Sequence, residues 1–125
     1  MLLDTCALLW LVEGGGQLSV NARRLIDAAP AVHVSAITAF EISLKYRSGK
    51  LELPASTAEW FRSVVAHHNL NVCPLDAEIC IAATELPAVH KDPCDRFIVA
   101  TARLRHWPVV TGDPRFHDYG IEVIS

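Results

Sequence analysis

Short apolar runs alternate with longer amphipathic stretches along the whole chain. Runs that fit buried strands stand at Met1–Asp4, Val32–Ser35, Asn71–Pro74, Val109–Thr111 and Ile121–Ile124, each bounded by turn or capping residues. Between them the apolar positions fall at helical spacing. Ser19 is placed to cap a helix through Ala29, with Val20, Leu25 and Ile26 on its inner stripe. Thr57 is placed to cap another through His68, with Trp60, Phe61, Val64 and Val65 apolar. A helix also follows the second run and carries Glu41. Asp76 starts a further helix ending near Leu86-Pro87, and Asp92-Pro93 opens one that runs through Leu104 with Pro at its first position. Parallel neighbours need crossover connections, so strands separated by helices predict an α/β fold. The expected architecture has three layers, α/β/α, around a mainly parallel sheet of four or five strands. The triplet Gly14-Gly15-Gly16 reads as a surface turn, and no repeat or linker divides the chain, so residues 1–125 are expected to form one domain.

Composition narrows the classes. A chain of 125 residues that is 51% hydrophobic should bury roughly two-thirds of its unfolded surface, enough for a core without disulfides or a structural metal. The longest uninterrupted apolar run, Cys6 to Val12, is far short of the roughly 20 residues that cross a membrane. With Asp4 in the first positions and no basic leader, a cytoplasmic location is the expectation. The four cysteines form no C-x-x-C pair, and in a reducing compartment they read as small buried hydrophobes rather than zinc ligands or disulfides.

The candidate chemistry is acidic. In open parallel sheets, ligands bind in the crevice beyond the carboxyl ends of the strands. That rule selects Asp4 after the first strand, Glu41 on the helix after the second, Asp95 in the first turn of the Asp92 helix, and Asp113 after Val109-Val110-Thr111-Gly112. Two like charges at about 4 Å cost roughly 1 kcal/mol in water and about 4 kcal/mol near a protein surface, so acids converging there call for a cation. Oxygen donors without imidazole or thiolate suit Mg²⁺ or Mn²⁺. Such an ion activates water and stabilises a phosphodiester under attack, which makes the expected reaction metal-assisted phosphodiester hydrolysis. Thr5 and Thr111 place hydroxyls beside the presumed ligands, where each supports the site or satisfies a helix end.

Each acid also has a purely structural reading. Thr38 and Glu41 have capping-box spacing, and Glu41 and Lys45 are an i,i+4 pair. Asp4, Asp92 and Asp113 are all placed to cap a helix, and Asp95 to favour a helix dipole. Capping alone does not require that all four acids follow strand ends of one sheet. Asp92 is assigned mainly to capping, and His90 is set aside as structural.

Four segments together resemble a known family: Leu2-Leu3-Asp4-Thr5-Cys6-Ala7-Leu8-Leu9-Trp10, Ser35-Ala36-Ile37-Thr38-Ala39-Phe40-Glu41-Ile42, His90-Lys91-Asp92-Pro93-Cys94-Asp95-Arg96-Phe97-Ile98-Val99-Ala100-Thr101-Ala102, and Val110-Thr111-Gly112-Asp113. In order and spacing they are similar to the PIN-domain toxins of the VapC type. The resemblance implies a PIN-like fold, Mg²⁺- or Mn²⁺-dependent endoribonuclease activity, an RNA substrate, a cognate VapB-type antitoxin and a homodimer. It places Asp4, Glu41, Asp95 and Asp113 on the family's acidic quartet, with Asp92 in a subgroup motif. Cys6 departs from the His or Asn frequent at its position.

The net charge is −3, unusual for a nucleic-acid binder. Without the four acids it would be +1, so RNA affinity should follow metal loading. Lys45, Arg47, Lys50, Arg96 and Arg115 are the candidate phosphate contacts. A receiver-like phosphate acceptor would need an acidic pair after the first strand and a lysine after the last, and neither is present. The alternative kept open is a catalytically silent PIN-like module that only binds RNA or a partner. The apolar positions Leu8, Leu9, Trp10, Ile42, Trp60 and Val64 are expected to leave surplus apolar surface for such partners.

Overall fold

The computed structural model describes residues 1–125. Its strands are β1 (Leu2–Leu3), β2 (Val32–Ser35), β3 (Leu70–Cys73), β4 (Val109–Val110) and β5 (Val123–Ile124). They form one sheet of order β3-β2-β1-β4-β5 in which every pairing is parallel. The helices are α1 (Thr5–Val12), α2 (Val20–Ala28), α3 (Ala36–Arg47), α4 (Thr57–His67), α5 (Ala77–Thr84) and α6 (Pro93–Arg105), with a 3-10 helix over Pro114–Tyr119. The chain builds outward from β1 to β3, then returns to lay β4 on the other side of β1. The switch point of the sheet therefore lies between β1 and β4, where ligand crevices open in such folds.

Side chains alternate across a strand, and the two residues of β1 show the consequence. Leu3 joins Val34, Val110 and Ile124 under α1, α2 and α4, with Leu8, Ala22, Ile26, Trp60 and Val64. Leu2 joins Val109 and Cys73 on the opposite face, against Ile79, Ala83, Ile98, Val99, Phe116 and Tyr119. These two clusters are the two interfaces of a three-layer α/β/α fold, as the strand and helix pattern predicts. No helix is long and apolar enough to cross a membrane.

Several local expectations are corrected. The cap of α4 is Ser56, whose Oγ accepts the Glu59 N–H, one residue before the predicted Thr57. Thr38 is no helix cap, because α3 starts earlier with Ser35 as its cap. Leu8, Ile42, Trp60 and Val64 offer no surplus surface, since all are buried in the first core. The large exposed apolar side chains are instead Val20, Phe40, Leu44, Tyr46, Val72, Ile81 and Leu104. Of the cysteines only Cys73 is buried, while Cys6 is exposed and Cys80 and Cys94 are half-buried.

Candidate active site

Two capping turns aim acids at the switch point. The backbone of β1 ends by donating the Asp4 N–H to Val110 O, and Asp4 then caps α1, its Oδ1 accepting the Ala7 N–H at 2.8 Å. Asp113 caps the 3-10 helix after β4, its Oδ1 accepting the Arg115 N–H at 2.9 Å. Its own N–H is donated to the Thr111 hydroxyl at 3.0 Å. Capping and placement are thus one act: the turn that starts each helix holds a carboxylate at a strand end.

Glu41 and Asp95 come from α3 and α6. The Thr5 hydroxyl donates to Glu41 Oε1 at 2.7 Å, and Thr38 Oγ1 lies 3.1 Å from Thr5 Oγ1. Since Thr5 spends its one proton on Glu41, Thr38 is the donor in that second bond. Glu41 Oε2 meets Lys45 Nζ at 3.1 Å. The predicted i,i+4 pair is therefore present, and it coexists with a site contact.

Asp4, 5% exposed, has a raised pKa, chiefly from burial, with the charges of Glu41 and Asp113 adding; bonds from Thr111 and the Ala7 N–H act in the opposite direction. Asp95 is pushed up to about 6, again first by burial, then by Asp92, Glu41 and Asp4 against the pull of His90. Asp113 is held well below the usual carboxylate range, first by Arg115 and then by His90. Asp4 and Asp95 are thus the acids without a counter-cation, while Lys45 and Arg115 serve the other two. No group of three His, Cys, Asp or Glu side chains is arranged around one ion position.

The supporting residues divide. Asp92 caps α6 by accepting the Cys94 N–H at 2.9 Å, matching its expected role. Arg96 is corrected as a phosphate contact: its guanidinium donates to the carbonyls of Ala83, Leu86, Pro87 and His90. Those bonds make it a support for the loop before α6. Arg115 and Lys45 are occupied by acids, which leaves Arg47 and Lys50 exposed without such partners among the named cations. Burial first, then nearby acids, pushes the half-buried Cys94 thiol up to about 12, so it is no nucleophile near neutral pH.

Two contacts were invisible to sequence reasoning. His90 is bonded to both Asp113 and Tyr119, a meeting of residues 23 and 29 positions apart that no spacing rule signals. Gly112 is the other: a Cβ there would run into the Trp10 ring, so the indole lies against the backbone between Thr111 and Asp113. Gly112→Ala is expected to destabilise the protein by about 1–3 kcal/mol, the range for overpacking. Thermal unfolding checks it, and Trp10→Leu in the same chain should recover part of the loss.

The PIN domain family model matches residues 1–122. Ribonuclease VapC22 of Mycobacterium tuberculosis is 28% identical over 120 residues, covering 95% of this chain and 91% of that protein. Among solved structures, VapBC2 from Rickettsia felis bound to a DNA fragment from its promoter superposes with a TM-score of 0.71 at 15% identity, over 98% of this chain and 95% of that one. A toxin–antitoxin complex from Klebsiella pneumoniae gives a TM-score of 0.62 at 22% identity, over 99% and 95%.

Proposed function

The chain belongs to the PIN-domain family, and from that premise we propose that it is a ribonuclease, the toxin of a toxin–antitoxin pair, cutting RNA phosphodiester bonds with a divalent metal. One observation supports the reading: Asp4 and Asp113 cap the helices that follow β1 and β4, the paired strands at the switch point of the sheet, and Glu41 is bonded through Thr5 to the start of the first of those helices. The kinship with Ribonuclease VapC22 and the likeness to a toxin–antitoxin complex support it. The protein works in the cytoplasm, as a homodimer until a cognate VapB-type antitoxin covers it.

The donor set fits Mg²⁺ or Mn²⁺, because it consists of carboxylate oxygens and its two unpaired members are uncomfortable as anions. Asp4 and Asp95 would hold the ion, with Glu41 and Asp113 joining as Lys45 and Arg115 yield. When bound, the metal supplies charge stabilisation at the phosphate and a water of lowered pKa. The chain's own residues do the rest. Asp4 is fixed by the Ala7 N–H, and Thr5, itself held by Thr38, orients Glu41. Arg115 is mostly exposed; once released from Asp113, it is free to pair with a phosphate, for which a guanidinium fork is well matched.

The test is RNA cleavage by the purified chain with Mg²⁺ or Mn²⁺, with and without EDTA, followed by sequencing of the 5′ ends of the fragments. Cleavage that requires the metal is expected. Undiminished cutting in chelator by a nuclease-free preparation would overturn the reading. Pull-down of proteins encoded beside this one tests the antitoxin, and failure to capture any would remove the toxin role while leaving the nuclease.

A further inference from the structure

The buried imidazole of His90 is the most constrained side chain that the acidic quartet leaves out. It is 1% exposed, stacked on Tyr119 and edge-on to Phe116. A polar ring so deeply buried is costly unless both nitrogens are bonded, and both are. Nε2 lies 2.9 Å from Asp113 Oδ2, and Nδ1 lies 2.6 Å from the Tyr119 hydroxyl.

One ring proton can be placed. The Tyr119 oxygen accepts the His90 main-chain N–H at 3.0 Å and lies 2.6 Å from Nδ1, so it holds both the backbone and the ring of His90. Nε2 faces a carboxylate oxygen, which can only accept, so Nε2 carries a proton and donates it to Asp113. The loop cannot let the ring swing, because Arg96 ties the His90 carbonyl to those of Ala83, Leu86 and Pro87 at the end of α5. Asp113's other side-chain partner, Arg115, is 58% exposed and sits two residues along the same turn. Of the two, the imidazole is the fixed one.

We infer that His90 is a positioning residue whose Nε2–H, locked by Tyr119 and Arg96, sets the orientation of the Asp113 carboxylate in the acidic site. The inference rests on the reading of Asp113 as a site carboxylate proposed above. Histidine and carboxylate partners that orient metal-binding groups change metal affinity by about 10–100-fold when removed.

The experiment measures Mn²⁺ binding by titration calorimetry at one pH near 7.5 for the wild type, His90→Ala, His90→Gln and Tyr119→Phe, with melting curves for each. Expected is a loss of about 10–100-fold in affinity for the alanine variant. Glutamine, whose amide nitrogen reaches toward the Nε2 position, recovers most of it, and Tyr119→Phe falls between. A role confined to packing would lower the melting temperature without separating Gln from Ala in Mn²⁺ affinity, and that result overturns the inference. Long-range proton–nitrogen spectra of the wild type give a second readout that needs no variant to fold. A proton on Nε2 is expected, and a ring protonated on Nδ1 alone overturns the proposal. A wild type that binds Mn²⁺ and cleaves RNA while His90→Ala binds as tightly defeats the positioning role alone. A wild type that does neither defeats the nuclease reading and this role with it.

Discussion

Asp4→Asn and Asp95→Asn are each expected to lower RNA cleavage about a thousandfold, the loss of roughly 4 kcal/mol of transition-state stabilisation that metal-assisted sites supply. The same substitutions should leave the protein as stable as before, or more so. At Asp4 the reason is geometric. Its Oδ1 caps α1 by accepting the Ala7 N–H, and asparagine offers the same carbonyl oxygen and ranks with aspartate as a cap. Charge is therefore removed without removing the cap. Burial raises the Asp4 pKa and pushes Asp95 up to about 6, so folding disfavours both charges, and the amide relieves that cost. Asp4→Ala makes the contrast, because it also forfeits the cap, worth about 1 kcal/mol. Cleavage of a fluorogenic RNA and thermal unfolding, measured on the same preparations, check the pair of claims. Activity retained within a few-fold in both asparagine variants would mean that these acids are structural caps and nothing more. Asp92→Asn, whose carboxyl caps α6, is expected to be far milder.

How far the sequence disclosed this arrangement depends on how local the cause is. The apolar runs at Leu2-Leu3 and Val109-Val110 announce strands, and the acids that follow them, Asp4 and Asp113, are read off the chain because strand propensity and helix capping are short-range matters. That these two strands pair is not legible, because crossover helices demand parallel strands without saying which become neighbours; the β1–β4 pairing appears only in the fold. The α4 cap was missed by one residue because Ser56 and Thr57 are adjacent hydroxyls, and only the backbone turn decides which accepts the bond. The burial of Trp60 and Ile42 was missed because both look like surplus apolar surface until Leu3, Val34 and Leu70 are seen packing beneath them. The loop before α6 was the least legible. Arg96 reads as a surface cation, yet folding aims it at four carbonyls. His90 reads as a spare histidine, and its partners Asp113 and Tyr119 arrive from beyond α6.

The remaining large effect is a stability curve that bends the unusual way. The Asp95 carboxyl goes from an ordinary 3.8 to about 6 on folding, so between those values the folded state binds more protons than the unfolded one. Stability then falls as pH rises through that interval, and the full penalty is present above about pH 6. At 1.36 kcal/mol per unit the shift would amount to roughly 3 kcal/mol. Asp95 is only part-buried, so solvent screening reduces it to about 1–2 kcal/mol. Asp4 acts in the same direction. Asp113, held low by Arg115 and His90, contributes with the opposite sign: its stabilisation is present above about pH 4 and is lost below it. The metal-free protein is therefore expected to melt several degrees higher at pH 5 than at pH 7.5. Mg²⁺ or Mn²⁺ at 100 times its Kd adds about 2.7 kcal/mol, near 10 °C for a chain of this size, and should reverse the order. At pH 4.5 protons compete for the same oxygens and the metal should do little. Melting curves at the three pH values, with EDTA or with metal, decide the matter. A metal-free melting temperature that climbs steadily from pH 4.5 to 7.5, together with no response to metal at pH 7.5, would show that the four acids do not share a field.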